Sequence, residues 1–203
     1  MPLDFVDVDE TVWLFAPPSR RVAPDGPGSE AWARHRALQV WAGLPSGPAE
    51  WDRTRRLLRN VATRDYPPER TGWALKYVHL PEPDGLPVPA MVSFLPPEGP
   101  RETTLRTLVR DGDPTGVGPP TLEEIPTPAG PALRGLSHQR AQDPDGRTGL
   151  YTTLAYAWRT RDPQQDDHVL DVLLWASYTP ERIITMAEDL DALARSLTWV
   201  AGH

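Results

Sequence analysis

The side chains in this sequence that could do chemistry are few and scattered. Asp166, Asp167, His168 and Asp171 are the densest group of acids and imidazole, and such groups bind divalent cations when they converge. Neighbours on a strand point to opposite faces. A regular strand therefore separates His168 from Asp171, and the segment reads as the solvated end of a hairpin. Asp143-Pro-Asp-Gly begins like a calcium loop but lacks the later acidic positions and the closing glutamate. It reads as a turn in which Pro144 presets φ and Gly146 accepts a positive one. Ser137-His138 sets a hydroxyl beside an imidazole, yet Gly135-Leu-Ser-His does not fit the G-x-S-x-G elbow. Gly112, Gly116 and Gly118 lie in a segment that ends in Pro-Pro rather than Gly-Lys-Ser/Thr, so it is a loop and not a phosphate cradle. The chain has no cysteine, which excludes thiol nucleophiles, cysteine zinc sites, iron–sulfur clusters and disulfides. The sequence predicts no catalytic set, no metal and no cofactor.

Binding is better represented than catalysis. Eight tryptophans exceed what one core needs, and tryptophan and arginine are enriched at interface hot spots, although Trp158, Trp175 and Trp199 are expected simply to fill the core. Trp32 falls off the apolar stripe of its helix and is expected to face outward. Arg53, Arg56 and Arg59, with Arg55 and Arg64, decorate a second helix; they could form an anion-binding strip for an acidic partner, diluted by Asp52 and Asp65. Tyr77, His79 and Tyr156 are the candidate polar contacts for a small molecule held between sheet and helices. His79, on the Trp73/Leu75/Tyr77/His79 face, reads as a satisfied, half-buried histidine, and His35 as exposed.

The elements that must position these residues follow from periodicity. Phe5–Val8 and Val12–Phe15 are short β-type runs, and Pro17–Gly28 is a loop or extended arm. Ser29 is the expected N-cap of a helix whose inward face is Ala33, Ala37, Val40, Trp41 and Leu44. A second helix starts near Pro48, buries Trp51, Leu58, Val61 and Ala62, and stops at Tyr66-Pro-Pro. Trp73–Leu80 and Val88–Leu95 read as a hairpin, and Glu102–Val109 as a short helix with Leu105, Leu108 and Val109 inward. Leu122–Ile125 and Pro131–Ser137 are short strands. Gly149–Thr160 and His168–Tyr178 are long ones, separated by a polar loop at Asp162–Asp167. Thr179 caps a final helix with Pro180 in its first position and Ile183, Ala187, Leu190, Leu193, Ala194 and Leu197 inward.

The chain has 203 residues, enough for one domain, here expected to span 1–203. Its net charge of −7 and pI near 5.2 argue against a broad nucleic-acid surface. Prolines number 25, yet they punctuate an otherwise apolar pattern, which implies ordered loops rather than disorder. Lys76 is the single lysine among 21 basic residues, a bias that looks like GC-rich bacterial codon usage. The start of the chain is acidic and no window approaches the ~18 apolar residues of a membrane span, so the cytoplasm is the expected location.

The run Leu122-Glu-Glu-Ile-Pro-Thr-Pro-Ala-Gly-Pro-Ala-Leu-Arg, the strands Leu150–Trp158 and Val169–Ser177, and the closing helix through Leu190-Asp-Ala-Leu-Ala-Arg-Ser-Leu resemble the Mog1/PsbP-like superfamily, with its DcrB-like and LpqN-like bacterial proteins. The likeness covers roughly residues 73–200. It implies an α+β fold, a mostly antiparallel sheet flanked by helices in an α/β/α sandwich, to which this chain adds two N-terminal helices. It also implies a non-catalytic binding, adaptor or chaperone-like protein, with a protein partner or self-association and without nucleic acid; a small-molecule-binding domain or enzyme is the alternative. A fold does not by itself fix a function.

Overall fold

A computed structural model describes residues 3–16, 28–63, 73–142 and 148–200. The expected arm at 17–27, Arg64, Tyr66-Pro-Pro and the Asp143-Pro-Asp-Gly turn lie outside the described residues, as do the side chains of Trp73, Asp166 and Asp167. The chain forms two compact units, one from Asp9–Met91 and one from Met1–Val8 with Val92–His203.

The N-terminal unit contains β2 (Trp13–Ala16), α1 (Ser29–Val40), α2 (Pro48–Thr63), β3 (Trp73–His79) and the first half of β4 (Val88–Leu95). β2 pairs antiparallel with β3, matching Trp13 to His79 and Ala16 to Lys76, and β3 neighbours β4. Strand alternation sends Leu14, Ala16, Val78 and Leu80 to one face, where they meet Ala33 and Ala37 of α1 and Leu58 and Ala62 of α2. Both expected ends of α1 shift. Gly28 rather than Ser29 is the N-cap, and Leu44 lies beyond the helix and is exposed. Lys76 is buried on β3, and its ammonium donates to the carbonyls of Val61 (3.1 Å) and Ala62 (3.2 Å) in the last turn of α2. Those carbonyls have no intrahelical partner, and a cation there also complements the helix dipole.

The C-terminal unit contains β1 (Leu3–Phe5), α3 (Arg101–Leu108), β5 (Thr121–Ile125), β6 (Ala132–Gln142), β7 (Thr148–Asp162), β8 (Gln165–Tyr178), α4 (Pro180–Arg195) and β9 (Leu197–Trp199). Four of its strands lie in the order β8-β7-β6-β5, each pair antiparallel, while β1 pairs with β9 in a separate ribbon. α3 buries Leu105 and Val109 against Ala155, Ala157 and Leu173. From the other face of β7, the Tyr156 hydroxyl reaches Asp191 on α4. The two helices thus flank the sheet, and the expected α+β class is observed. β6 runs five residues past the expected end at Ser137, so the Ser137-His138 pair sits in mid-strand. The polar loop after β7 shrinks to Pro163–Gln164. Thr179 and Pro180 take the expected cap and first-turn positions, although the threonine hydroxyl makes no capping bond.

Candidate functional site

The site is built on α3. Its Leu105 and Val109 face the sheet, Glu102 lies in the first turn and Arg106 in the last, each charge with the sign the helix dipole favours. Val109 is the C-cap, and Arg110 follows at φ 67°, a left-handed position usually given to glycine. The Arg110 amide bonds the Thr107 carbonyl (3.1 Å) and the Asp111 amide bonds that of Arg106 (2.9 Å), which closes the helix as a Schellman turn.

Two contacts seat α3 on the sheet. At its start, Arg159 of β7 makes a two-pronged pair with Asp171, its register partner on β8, at 2.7 and 2.8 Å. The same guanidinium donates to the carbonyls of Gly99 (2.7 Å) and Glu98 (3.1 Å), just before the helix. Asp171 is 1% exposed, so its charge depends on Arg159, and removing the guanidinium would strand a buried carboxylate. At the far end, Val109 presses on Gly135 of β6, where a Cβ would come within 2.7 Å of the valine Cβ. Glycine is required there by that close approach.

Between α3 and the β5–β6 pair opens a groove of about 400 Å³. Leu105, Leu122 and Leu133 supply its apolar surface, while Arg101, Glu102 and Arg106 on one side face Glu124 on the other; Glu123 borders it from the edge strand, its side chain toward Arg134 on the opposite face. Arg101 approaches Glu124 at 3.7 Å and donates to the Pro131 carbonyl at 3.1 Å. Arg106 is held by Asp111 (2.9 Å) and Glu102 (3.4 Å). The β5–β6 turn is fixed from β7: the Trp158 indole donates to Thr127 Oγ1 (2.9 Å), which itself bonds the Gly130 carbonyl (2.6 Å), and Thr160 Oγ1 bonds that of Ala129 (2.7 Å). Both walls are therefore pre-positioned by buried polar contacts, and side chains inside the groove can discriminate a ligand by charge and apolar fit.

The residues singled out from sequence lie elsewhere. Trp32 does not face outward. It is 7% exposed and its indole donates to the Phe15 carbonyl at 2.9 Å, because α1 packs across β2 with a face wide enough to take the residue before Ala33. None of the seven tryptophans with described side chains is exposed. Those of Trp41, Trp158 and Trp199 also spend their indole N–H on internal threonine hydroxyls. Arg53, Arg56 and Arg59 are exposed on α2. Arg56 pairs with Asp52 and Arg59 with Glu30, both at 3.3 Å, and Arg55 bridges both acids, so the strip is largely neutralised by its own unit. Tyr77 and His79 are buried on one face of β3, His79 more deeply than the half-burial expected. Phe15 lies edge-on to Tyr77, and Trp13 edge-on to His79. Tyr156 is buried in the C-terminal unit, bonded to Asp191, which also accepts from Arg134 at 3.0 Å. Burial, then the neighbouring carboxylate, holds its hydroxyl well above the ordinary tyrosine range.

His138 and Ser137 point to opposite faces of β6, the imidazole to Thr152 Oγ1 at 2.8 Å, so they form no dyad. Among the described residues, no three His, Cys, Asp or Glu side chains gather to hold a metal ion. The groove residues were not singled out from sequence because its leucines, arginines and glutamates are spread over three segments with no motif spacing. The available signal was Leu122-Glu-Glu-Ile, a strand with adjacent glutamates, as edge strands tend to carry. In comparison with known proteins, the chain matches no family model and no curated protein.

Proposed function

We propose that this is a non-catalytic binding protein, acting in the cytoplasm, whose working surface is the groove between α3 and β5. One observation carries the reading: a cleft with an apolar floor and four charged side chains at its sides, held in shape by the pair of Arg159 with the buried Asp171 and a turn fixed from β7. Such a surface fits recognition, since its charged groups are arginines and glutamates already matched to one another rather than acid, base and nucleophile in contact. The resemblance to the Mog1/PsbP-like superfamily agrees with a binding or adaptor role. No described helix is long and apolar enough to cross a membrane.

The test is site-specific photo-crosslinking in cells that make the protein. A crosslinker replacing Glu102, at the groove, is compared with one replacing Ile184, on the exposed side of α4. The expected result is a discrete adduct from position 102 only, lost when Leu122→Asp places a charge in the floor. Equal adducts from both positions would overturn the reading.

A further inference from the structure

We infer that the groove receives an extended basic segment of a partner protein, which adds to the sheet as a strand alongside β5. This rests on the binding reading above and names its ligand. β5 is paired with β6 on one side, from Thr121↔Leu136 to Ile125↔Ala132, and ends the strand order among the described residues. In an antiparallel pair, alternate residues turn their N–H and C=O away from the partner, so β5 offers a row of backbone groups along the groove. An added strand satisfies those groups, and its side chains on the α3 face lie beside Leu122 and Glu124, at the mouth of the groove.

Charge selects the occupant. Arg101 and Arg106 are each engaged by two internal acceptors. Glu102, Glu123 and Glu124 meet Arg106, Arg134 and Arg101 only at 3.4, 3.9 and 3.7 Å and remain 82%, 63% and 61% exposed, so most of their acceptor positions are open to a further cation. Register places Glu124 and Leu122 on the α3 face and Glu123 on the other. A cation on either face of the added strand therefore finds a glutamate. A second copy of β5 would set glutamates against glutamates, which disfavours self-addition. The segment that fits alternates Lys or Arg with apolar residues.

The probe is a labelled hexapeptide, Lys-Val-Arg-Val-Lys-Val with blocked ends, titrated into the intact protein by fluorescence anisotropy. Saturable binding is expected, weakened about tenfold or more by Glu123→Lys/Glu124→Lys and by N-methylation of alternate peptide amides. The Glu-Val-Asp-Val-Glu-Val peptide is expected not to bind. Binding that tolerates N-methylation overturns strand addition. Preference for the acidic peptide overturns the charge argument, and a dimer by light scattering that Glu123→Lys disrupts assigns the edge to self-association. If the basic peptide fails while the crosslink at position 102 persists and still needs Leu122, this inference falls and the groove reading stands. Loss of both removes both.

Discussion

The two units each seat a helix with one cation, and they choose different cations, Lys76 buried and Arg159 partly so. In the N-terminal unit Lys76 brings an ammonium to two carbonyls at the end of α2. In the C-terminal unit Arg159 spreads a guanidinium over both oxygens of Asp171 and two carbonyls ahead of α3. A compact point charge suits acceptors clustered at a helix terminus; a planar fork suits a carboxylate and a loop that must be held together. That gives the single lysine a physical reason which codon usage does not supply. The units also differ in what they leave open. Both units pair surface arginines with carboxylates, but the acids differ in exposure: Glu30 and Asp52, which answer the arginines of α2, are 53% and 40% exposed, whereas Glu102, Glu123 and Glu124 stay 82%, 63% and 61% exposed beside Arg106, Arg134 and Arg101.

Breaking the fork should cost the most. Arg159→Ala leaves Asp171 buried without its partner and frees the start of α3, and a loss of about 3–5 kcal/mol is expected in urea unfolding. If the loss stays within about 0.5 kcal/mol, as for an ordinary surface change, the pair is not what holds the helix. Lys76→Met should follow at about 2–3 kcal/mol, because two buried carbonyls lose their donor. Lys76→Arg sharpens the comparison. The bulkier head does not fit the same point, so less than half of the loss should return. Full rescue by arginine would show that charge alone matters there.

The fold was largely legible from sequence because periodicity reports burial. The stripe of α4 names Ile183, Leu190, Leu193 and Ala194, and that of α2 names Leu58 and Ala62, whereas α1 keeps only Ala33 and Ala37 of its stripe as fully buried and β3 is buried on both faces. Three things were not legible. The length of β6 was missed because Gln139 to Gln142 carry little apolar signal, and their pairing with β7 is what makes them a strand. The role of Lys76 needs the tertiary contact between β3 and the end of α2. The groove exists only because α3 stops short of covering β5, a matter of helix placement that no spacing in either segment encodes. Tryptophan misled for a related reason: hot-spot composition cannot distinguish an indole at an interface from one tying a threonine to a turn.

Gly135 tests how tightly α3 is seated at its other end. Gly135→Ala puts a methyl against Val109, and about 2 kcal/mol of destabilisation is expected from the overpacking. Val109→Gly in the same chain removes both the Cβ at 2.7 Å and the Cγ2 at 3.1 Å that the new methyl would meet. The double variant should then be more stable than the sum of the single losses by at least about 1 kcal/mol. Simple additivity would mean that the helix shifts freely, and that the groove is not pre-shaped.

The smallest effect belongs to Tyr156, and it is read through pH. Its hydroxyl is held above the ordinary tyrosine value by burial and by the Asp191 carboxylate it bonds. The native state thus favours the protonated phenol more than the unfolded chain does. A raised native pKa contributes stability that is fully present below the unfolded value of about 10 and is lost as pH rises past it. Tyr156→Phe deletes one hydrogen bond and should cost about 1 kcal/mol at pH 7. It should also flatten the fall in stability between about pH 9.5 and 11, because the variant has no phenol to ionise on unfolding. Denaturant midpoints across that range settle it. A variant whose alkaline slope matches the parent would show that other groups set the slope, and that the Tyr156–Asp191 contact holds α4 to the sheet without linking it to pH.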